Sequence, residues 1–422
     1  MFSLILAIAP WVSITNHPAE VTYYNTANET QVVSYDDQVS DVQAMRISRN
    51  DDPYIVVLLK TKRKLRLKLY DDNMALLATR TVRAVNEPYR MGAVRLEYLS
   101  NTKALQVRFI RINDDSDEPI TYIEKRFSIK PSNANIIKLV RSSTMVIGEP
   151  TGTDILDYLG AARLSAGVLP VKHNVSLDAG CALHAEYMRL NDEMTHYEDE
   201  TAPGYTAAGA AAGVHSVITY QYDDGMIYAL DLWLEAPYHR FLLLYPELIS
   251  TGWAMSDPLY YDDYYDKYFT CMNTIDGTAI ESSGYDTNTT YWNYQNHEPI
   301  PYPGVNQLNV PVLFHGNEEP DPLEAFDGTY PTGYAVSLIF PEEDTITDVT
   351  INLVDENDNT KTGYLRTPYE VDDPNQYYQG NAILFMAEEP FEYSTTYTVT
   401  ITAQRNGSDY EKSWGFRTES DQ

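Results

Sequence analysis

The strongest constraint on this chain is a change of hydrophobic period along it. Between residues 20 and 145 apolar and polar residues alternate, the period-two pattern of half-buried strands. Ile55-Val56-Val57-Leu58-Leu59 reads as a buried strand. Leu65-Arg66-Leu67-Lys68-Leu69-Tyr70 alternates strictly and runs into an Asp71-Asp72-Asn73 turn. Arg95-Leu96-Glu97-Tyr98-Leu99 and Leu105-Gln106-Val107-Arg108-Phe109-Ile110 read as a second hairpin. The expectation is an antiparallel β-module over 20–147 with one wet face. The basic residues between 60 and 68 then form a solvated strand face.

Near Gly148-Glu149-Pro150 the period becomes helical. Thr153 is suited to cap a helix carrying Ile155, Leu159 and Ala162, which Gly167 and Pro170 end. Ser176 is expected to cap the next helix, with Leu177, Cys181, His184 and Met188 on one face. A third helix follows Asp223-Asp224, shows Met226, Leu230 and Trp233, and stops at Pro237. Residues 278–308, rich in Tyr, Asn, Thr and Pro, read as a linker or long surface loop. From 309 short strand runs return at even spacing, with Asn406-Gly407 as a hairpin turn between the last two. That predicts a β-sandwich over 309–420, with Phe314, Leu338, Ile351, Phe385, Val399 and Trp414 in its core.

Length and charge agree with several modules. A chain of 422 residues exceeds one ordinary core. The net charge of −31 is uneven: about +3 up to residue 150 and −34 beyond it. Such an acidic surface repels nucleic acid and anionic membranes, and solubility is its simplest role. The acidic run from 355 to 359 could suit a weak calcium site, but no EF-hand spacing supports it. No stretch approaches the ~18 apolar residues of a membrane span. Residues 1–15 contain an apolar core and Ala7-Ile8-Ala9, fitting an export signal or its remnant; a buried first strand is the alternative. Cys181 and Cys271 form either one bridge in an oxidising compartment or two buried thiols. Tyr260, Tyr261, Tyr264, Tyr265 and Tyr268, interleaved with aspartates, make either a recognition surface or a loop over a strand edge.

Four histidines stand at informative places in the helical middle: His184 on the inward face of its helix, His196 after that helix, His215 in Ala212-Gly213-Val214-His215-Ser216, and His239 in Ala236-Pro237-Tyr238-His239-Arg240. Imidazole suits zinc, copper or nickel, and a site needs three or four ligands. The alternative is hydrogen-bonded histidines without metal. No Gly-x-Ser-x-Gly elbow, His-Glu-x-x-His or Walker loop is present, so binding is expected rather than turnover.

The order of Leu159-Gly160-Ala161-Ala162-Arg163, Gly167-Val168-Leu169-Pro170-Val171, the 181–188 helix, His196, Gly204-Tyr205-Thr206-Ala207-Ala208-Gly209, the 232–240 run and Ile249-Ser250-Thr251-Gly252-Trp253 resembles the CAP superfamily of cysteine-rich secretory, venom-allergen and pathogenesis-related proteins. The bacterial branch is the closer match. Gly316-Asn317-Glu318-Glu319-Pro320-Asp321-Pro322-Leu323 and Trp414-Gly415-Phe416-Arg417-Thr418 look like the tail appended to some bacterial members. The resemblance implies a three-layer α-β-α sandwich over 150–277, an Ig-like sandwich behind it, and a cavity lined by two His and two Glu that in some members holds a divalent metal. His196 and His239 match the histidines. The glutamate positions fall on Val214 and Ala236, with Glu235 adjacent. The expected function is an exported, secreted or cell-surface CAP protein that binds a ligand (lipid, carbohydrate or protein) at a cavity of His196, His239, His215 and His184, with Glu235 as a secondary acid and zinc or another divalent metal as candidate cofactor. The alternatives are a metal-dependent hydrolase of an extracellular polymer and a structural or adhesive surface protein.

Overall fold

The computed structural model describes residues 11–16, 19–24, 30–45, 54–86, 89–99, 104–113, 121–130, 136–146, 155–260, 266–278, 299–326, 328–368 and 375–421. The chain divides into two compact units, 1–148 with 283–296, and 149–282 with 297–422. No helix among the described residues is long and apolar enough to cross a membrane.

The first unit is antiparallel β throughout its described residues. A three-stranded sheet comprises Trp11–Asn16, Ala19–Tyr24 and Thr30–Ser34. Residues 1–10 of the expected export segment lie outside the described residues, and Trp11–Asn16 is a paired strand. Two four-stranded sheets follow, from Gln38–Met45 to Leu76–Ala84 and from Tyr89–Leu99 to Ile137–Val146. The hairpins expected from the alternation fall at Lys64–Tyr70/Leu76–Ala84, across the Asp71-Asp72-Asn73 turn, and at Tyr89–Leu99/Ala104–Asn113. The expectation of one wet face needs correction at Tyr54–Thr61. Val56 and Leu58 join one apolar cluster, while Ile55, Val57 and Leu59 join another, so this strand is covered on both faces. The basic face is also partly covered, since Arg66 pairs with Asp37 and Lys68 lies over the Tyr35 ring.

The second unit opens with helices α1 (Ile155–Ser165), α2 (Val175–Asn191), α3 (Ala207–Val214), α4 (Met226–Glu235) and α5 (Pro237–Leu244). The cap of α2 is Asn174, not Ser176: its side chain accepts from the Ser176 amide, which leaves Ser176 inside the helix. Pro237 ends α4 as expected but also starts α5, because the first helical position needs no amide donor. The expected cap Thr153 lies outside the described residues.

The helices pack on an antiparallel sheet in which Asp266–Asn273 lies between Ser216–Gln221 and Trp253–Met255. Alternation splits the strands between two clusters. Val217 and Met272 pack with Leu159, Leu230 and Trp233, whereas Ile218, Phe269 and Cys271 pack with Cys181 and Met188. Trp233 is 2% exposed and its indole donates to Ile218 O at 3.0 Å. Leu177, expected inward, is only half-buried because it sits in the first turn of α2.

Two further sheets build the C-terminal part. One runs Ile300–Tyr302, Val336–Ile339, Ala382–Ala387, Gly363–Arg366; the other runs Gln307–Val310, Ser408–Thr418, Thr396–Arg405, Ile346–Asp355. Asn406 and Gly407 both have positive φ, as a tight hairpin turn requires. Asp355 spends its carboxylate on the Asn357 and Asn359 amides, a local turn. The segment expected as linker contributes structure: Ile300–Tyr302 is a sheet strand, and Trp414 donates its indole proton to Pro303 O at 2.9 Å. One apolar core runs unbroken from Leu159 and Trp233 through Ile300, Tyr334 and Leu338 to Val399 and Phe416. The expectation of an independent 309–420 module is corrected by that continuity.

Candidate functional site

Each of the four histidines has a defined partner set. His184, fully buried on α2, faces Glu198 through Nδ1 at 2.9 Å and Thr195 O through Nε2 at 2.8 Å. Both ring nitrogens are therefore engaged. Glu198 accepts in turn from the Thr206 amide at the start of α3. The His184–Glu198 contact holds the 192–206 loop and leaves neither ring nitrogen open to a ligand.

His196 leaves that loop and donates from Nδ1 to Gly213 O at 2.8 Å. Its pKa is lowered, first by burial and then by the nearby His239 and His184; the Gly213 carbonyl opposes the shift. It is neutral near pH 7, with the proton on Nδ1 and Nε2 unbonded among the described residues. His239, on α5, donates from Nδ1 to Glu318 Oε1 at 2.6 Å, again leaving Nε2 unbonded among the described residues. Pro237 starts α5, which carries His239, and His239 lies near enough to His196 to act on its charge.

His215 has a partner of its own. As the residue that ends α3 it donates to Asp276 Oδ1 at 2.8 Å, with Asn273 bonding the other oxygen of that carboxylate. The histidines that act on His196 are His239 and His184. Glu235 is half-buried and accepts from the His315 amide at 3.1 Å; desolvation raises its pKa. Among the described residues no three His, Cys, Asp or Glu side chains gather in a set that could hold a metal ion. His196 and His239 have the Nδ1-tethered form of metal-ligating imidazoles, but two donors fall short of the three or four that zinc requires. Among the described residues, these two donors alone do not complete a zinc site. Cys181 and Cys271 are free, buried thiols with sulfurs 2.6 Å apart. Of the tyrosine cluster, 261–265 lie outside the described residues, while Tyr260 is exposed.

Sequence reasoning missed Glu198 and Glu318. Glu198 stands two residues from His196, close enough to have been weighed. Glu318 lies 79 residues beyond His239, in the 316–323 run noted only as a tail feature. It is the buried acid of this site.

An antiparallel sheet with helices on its strands, and two tethered imidazoles with unspent Nε2 atoms, define a small mixed α/β domain built around a histidine pair. Residues 156–273 match the family model described as CAP, the cysteine-rich secretory protein family, and are a CAP domain. A search of curated proteins finds no match. Among solved structures, the chain is similar to an extracellular protein containing an SCP domain from Bacillus anthracis str. Ames. Identity is 11%, over 56% of this chain and 89% of that one, with a TM-score of 0.22, a superposition too loose to compare sites.

Proposed function

We propose that this is an exported CAP-domain protein that works by binding, with its ligand or partner engaging His196 and His239. One observation carries the reading: both rings spend Nδ1 on fixed acceptors, and neither Nε2 has a partner among the described residues. Where Nε2 carries no proton, nitrogens held in this way accept hydrogen bonds from hydroxyl, amide or ammonium groups, which suits a carbohydrate, a lipid headgroup or a peptide. A nucleophile with an adjacent base does not accompany them among the described residues, so turnover has less support than capture. Export rests on the leader-like sequence between residues 2 and 9. The split of Val217 and Ile218 between two helix-backed clusters supports a three-layer α-β-α arrangement. The paired four-stranded sheets support an Ig-like reading of the C-terminal part.

Ring NMR of the full chain tests the site. The probes are chitooligosaccharide, mixed phosphatidylcholine–phosphatidylglycerol vesicles and an acidic peptide. One class should move the His196 and His239 Nε2 signals, and that response should vanish in His196→Ala and His239→Ala. Binding that survives in both variants, or signals that no probe moves, removes this reading. A zinc titration should show no tight site in the wild type.

A further inference from the structure

The CAP site is closed by a residue from outside the CAP segment. The Glu318 carboxylate is fully buried; Oε1 accepts from His239 Nδ1 at 2.6 Å and Oε2 from the Tyr238 amide at 2.7 Å. A buried carboxylate with both oxygens committed to consecutive residues of one helix turn fixes where that turn sits and how the ring is rotated. Its own position is over-determined. Before it, Phe314 is buried beside Tyr238 and its strand pairs with Thr332–Gly333. Gly316 has φ +85°, and a Cβ there would press on the Tyr330 ring at 2.5 Å, so the turn accepts only glycine. After it, Arg366 donates to Pro322 O at 2.7 Å, Asn375 to Asp321 O at 2.9 Å, and Leu323 is buried.

We propose that Glu318 is a positioning residue for the CAP site: it holds His239 as the Nδ1–H tautomer and aims Nε2 at the face it shares with His196, so that the C-terminal part completes the site. An unbraced neutral imidazole would distribute its proton between both nitrogens with Nε2 favoured, and the Nε2–H population would present a donor rather than an acceptor. The ligand consequence rests on the binding function proposed above; the tautomer itself does not.

Histidine-selective nitrogen NMR of the full chain, at a pH where the rings are neutral, reads the tautomer without any ligand. In the wild type His239 should show a protonated Nδ1 and a bare Nε2. Glu318→Ala should lose the Nδ1–H signal and mix the tautomers. Glu318→Gln, which keeps an acceptor oxygen, should retain it in part, and the exposed neighbour Glu319→Ala should change nothing. His196 should stay Nδ1-protonated in all of them, showing that the loss is local. If Glu318→Ala does not fold, Glu318→Gln still reports through a weakened Nδ1–H signal. A wild-type His239 protonated on Nε2, or a tautomer unmoved in both Glu318 variants, overturns the proposal. Failure of the probe titrations with this tautomer intact would count against the binding function alone.

Discussion

At the scale of single residues, burial of charge makes the sharpest forecast. Glu247 is 2% exposed, one of its carboxylate oxygens has no hydrogen-bond partner among the described residues, and desolvation, opposed by a Tyr245 hydrogen bond and aided by Glu342 and Glu343, pushes its pKa up to about 7. The folded pKa lies above the unfolded one, so the neutral form stabilises the fold at acid pH. That contribution is lost as pH rises from about 4.5 through 7. Glu247→Gln should flatten this part of the stability profile and leave the variant up to about 3 kcal/mol more stable than wild type near pH 8, read by urea unfolding at several pH values. A slope unchanged by the substitution would refute it. Trp233→Ala should cost about 3–5 kcal/mol, because it empties a buried indole site and orphans Ile218 O; chemical denaturation measures it. Trp233 was legible from helical spacing alone. Glu247 was not, since nothing in Tyr245-Pro246-Glu247 announces that the acid turns inward.

At the scale of elements, α2 and α3 meet where Gly213 lies flat against the His184 ring. A Cβ on Gly213 would fall 2.6 Å from His184 Nδ1. The ring cannot retreat, because Glu198 and Thr195 hold both its nitrogens. Gly213→Ala should therefore cost at least the 1–3 kcal/mol typical of overpacking. It should also disturb His196, whose Nδ1 bonds the Gly213 carbonyl. A lowered melting temperature together with a shifted His196 ring signal is the expected pair of observations; a neutral substitution would show that the helices slide apart freely. Element type was readable here because the 3.6 period in 177–188 and 226–233 is long and unbroken. Boundaries were less so. Asn174 and Ser176 are both good caps, and only the tertiary position of the chain chooses between them. Helix α3, written almost wholly in Ala and Gly, offers no apolar stripe to count. The pairing of His239 with Glu318 depends on a contact 79 residues apart, which no local pattern encodes.

At the scale of the molecule, the question is whether the CAP domain and the C-terminal sheets are two folding units or one. Composition favours two, because Tyr, Asn and Pro crowd the segment between them, and such segments usually link domains. The packing favours one. Arg240 is buried and donates to Leu234 O and Glu235 O of α4 and to Ala335 O of the sandwich, while its guanidinium lies over the Tyr302 and Tyr334 rings. Tyr334 returns a bond to Leu234 O at 2.9 Å. Tyr238 packs with Phe314, Ala335, Leu384 and Met386. Separating the parts would expose these apolar side chains to water and break the bonds that Arg240 makes to both, which disfavours independent folding. A fragment 149–422 should therefore unfold in a single transition with coincident far- and near-ultraviolet circular dichroism. A fragment 309–420, lacking the Ile300–Tyr302 strand and the α4–α5 surface, should bind a hydrophobic dye and melt without a cooperative step. Arg240→Ala in the longer fragment should lower its melting temperature without splitting the transition, since the apolar core still joins the parts. Two resolved transitions in 149–422, or a sharply melting 309–420, would mean that the shared core forms only after each part has folded alone.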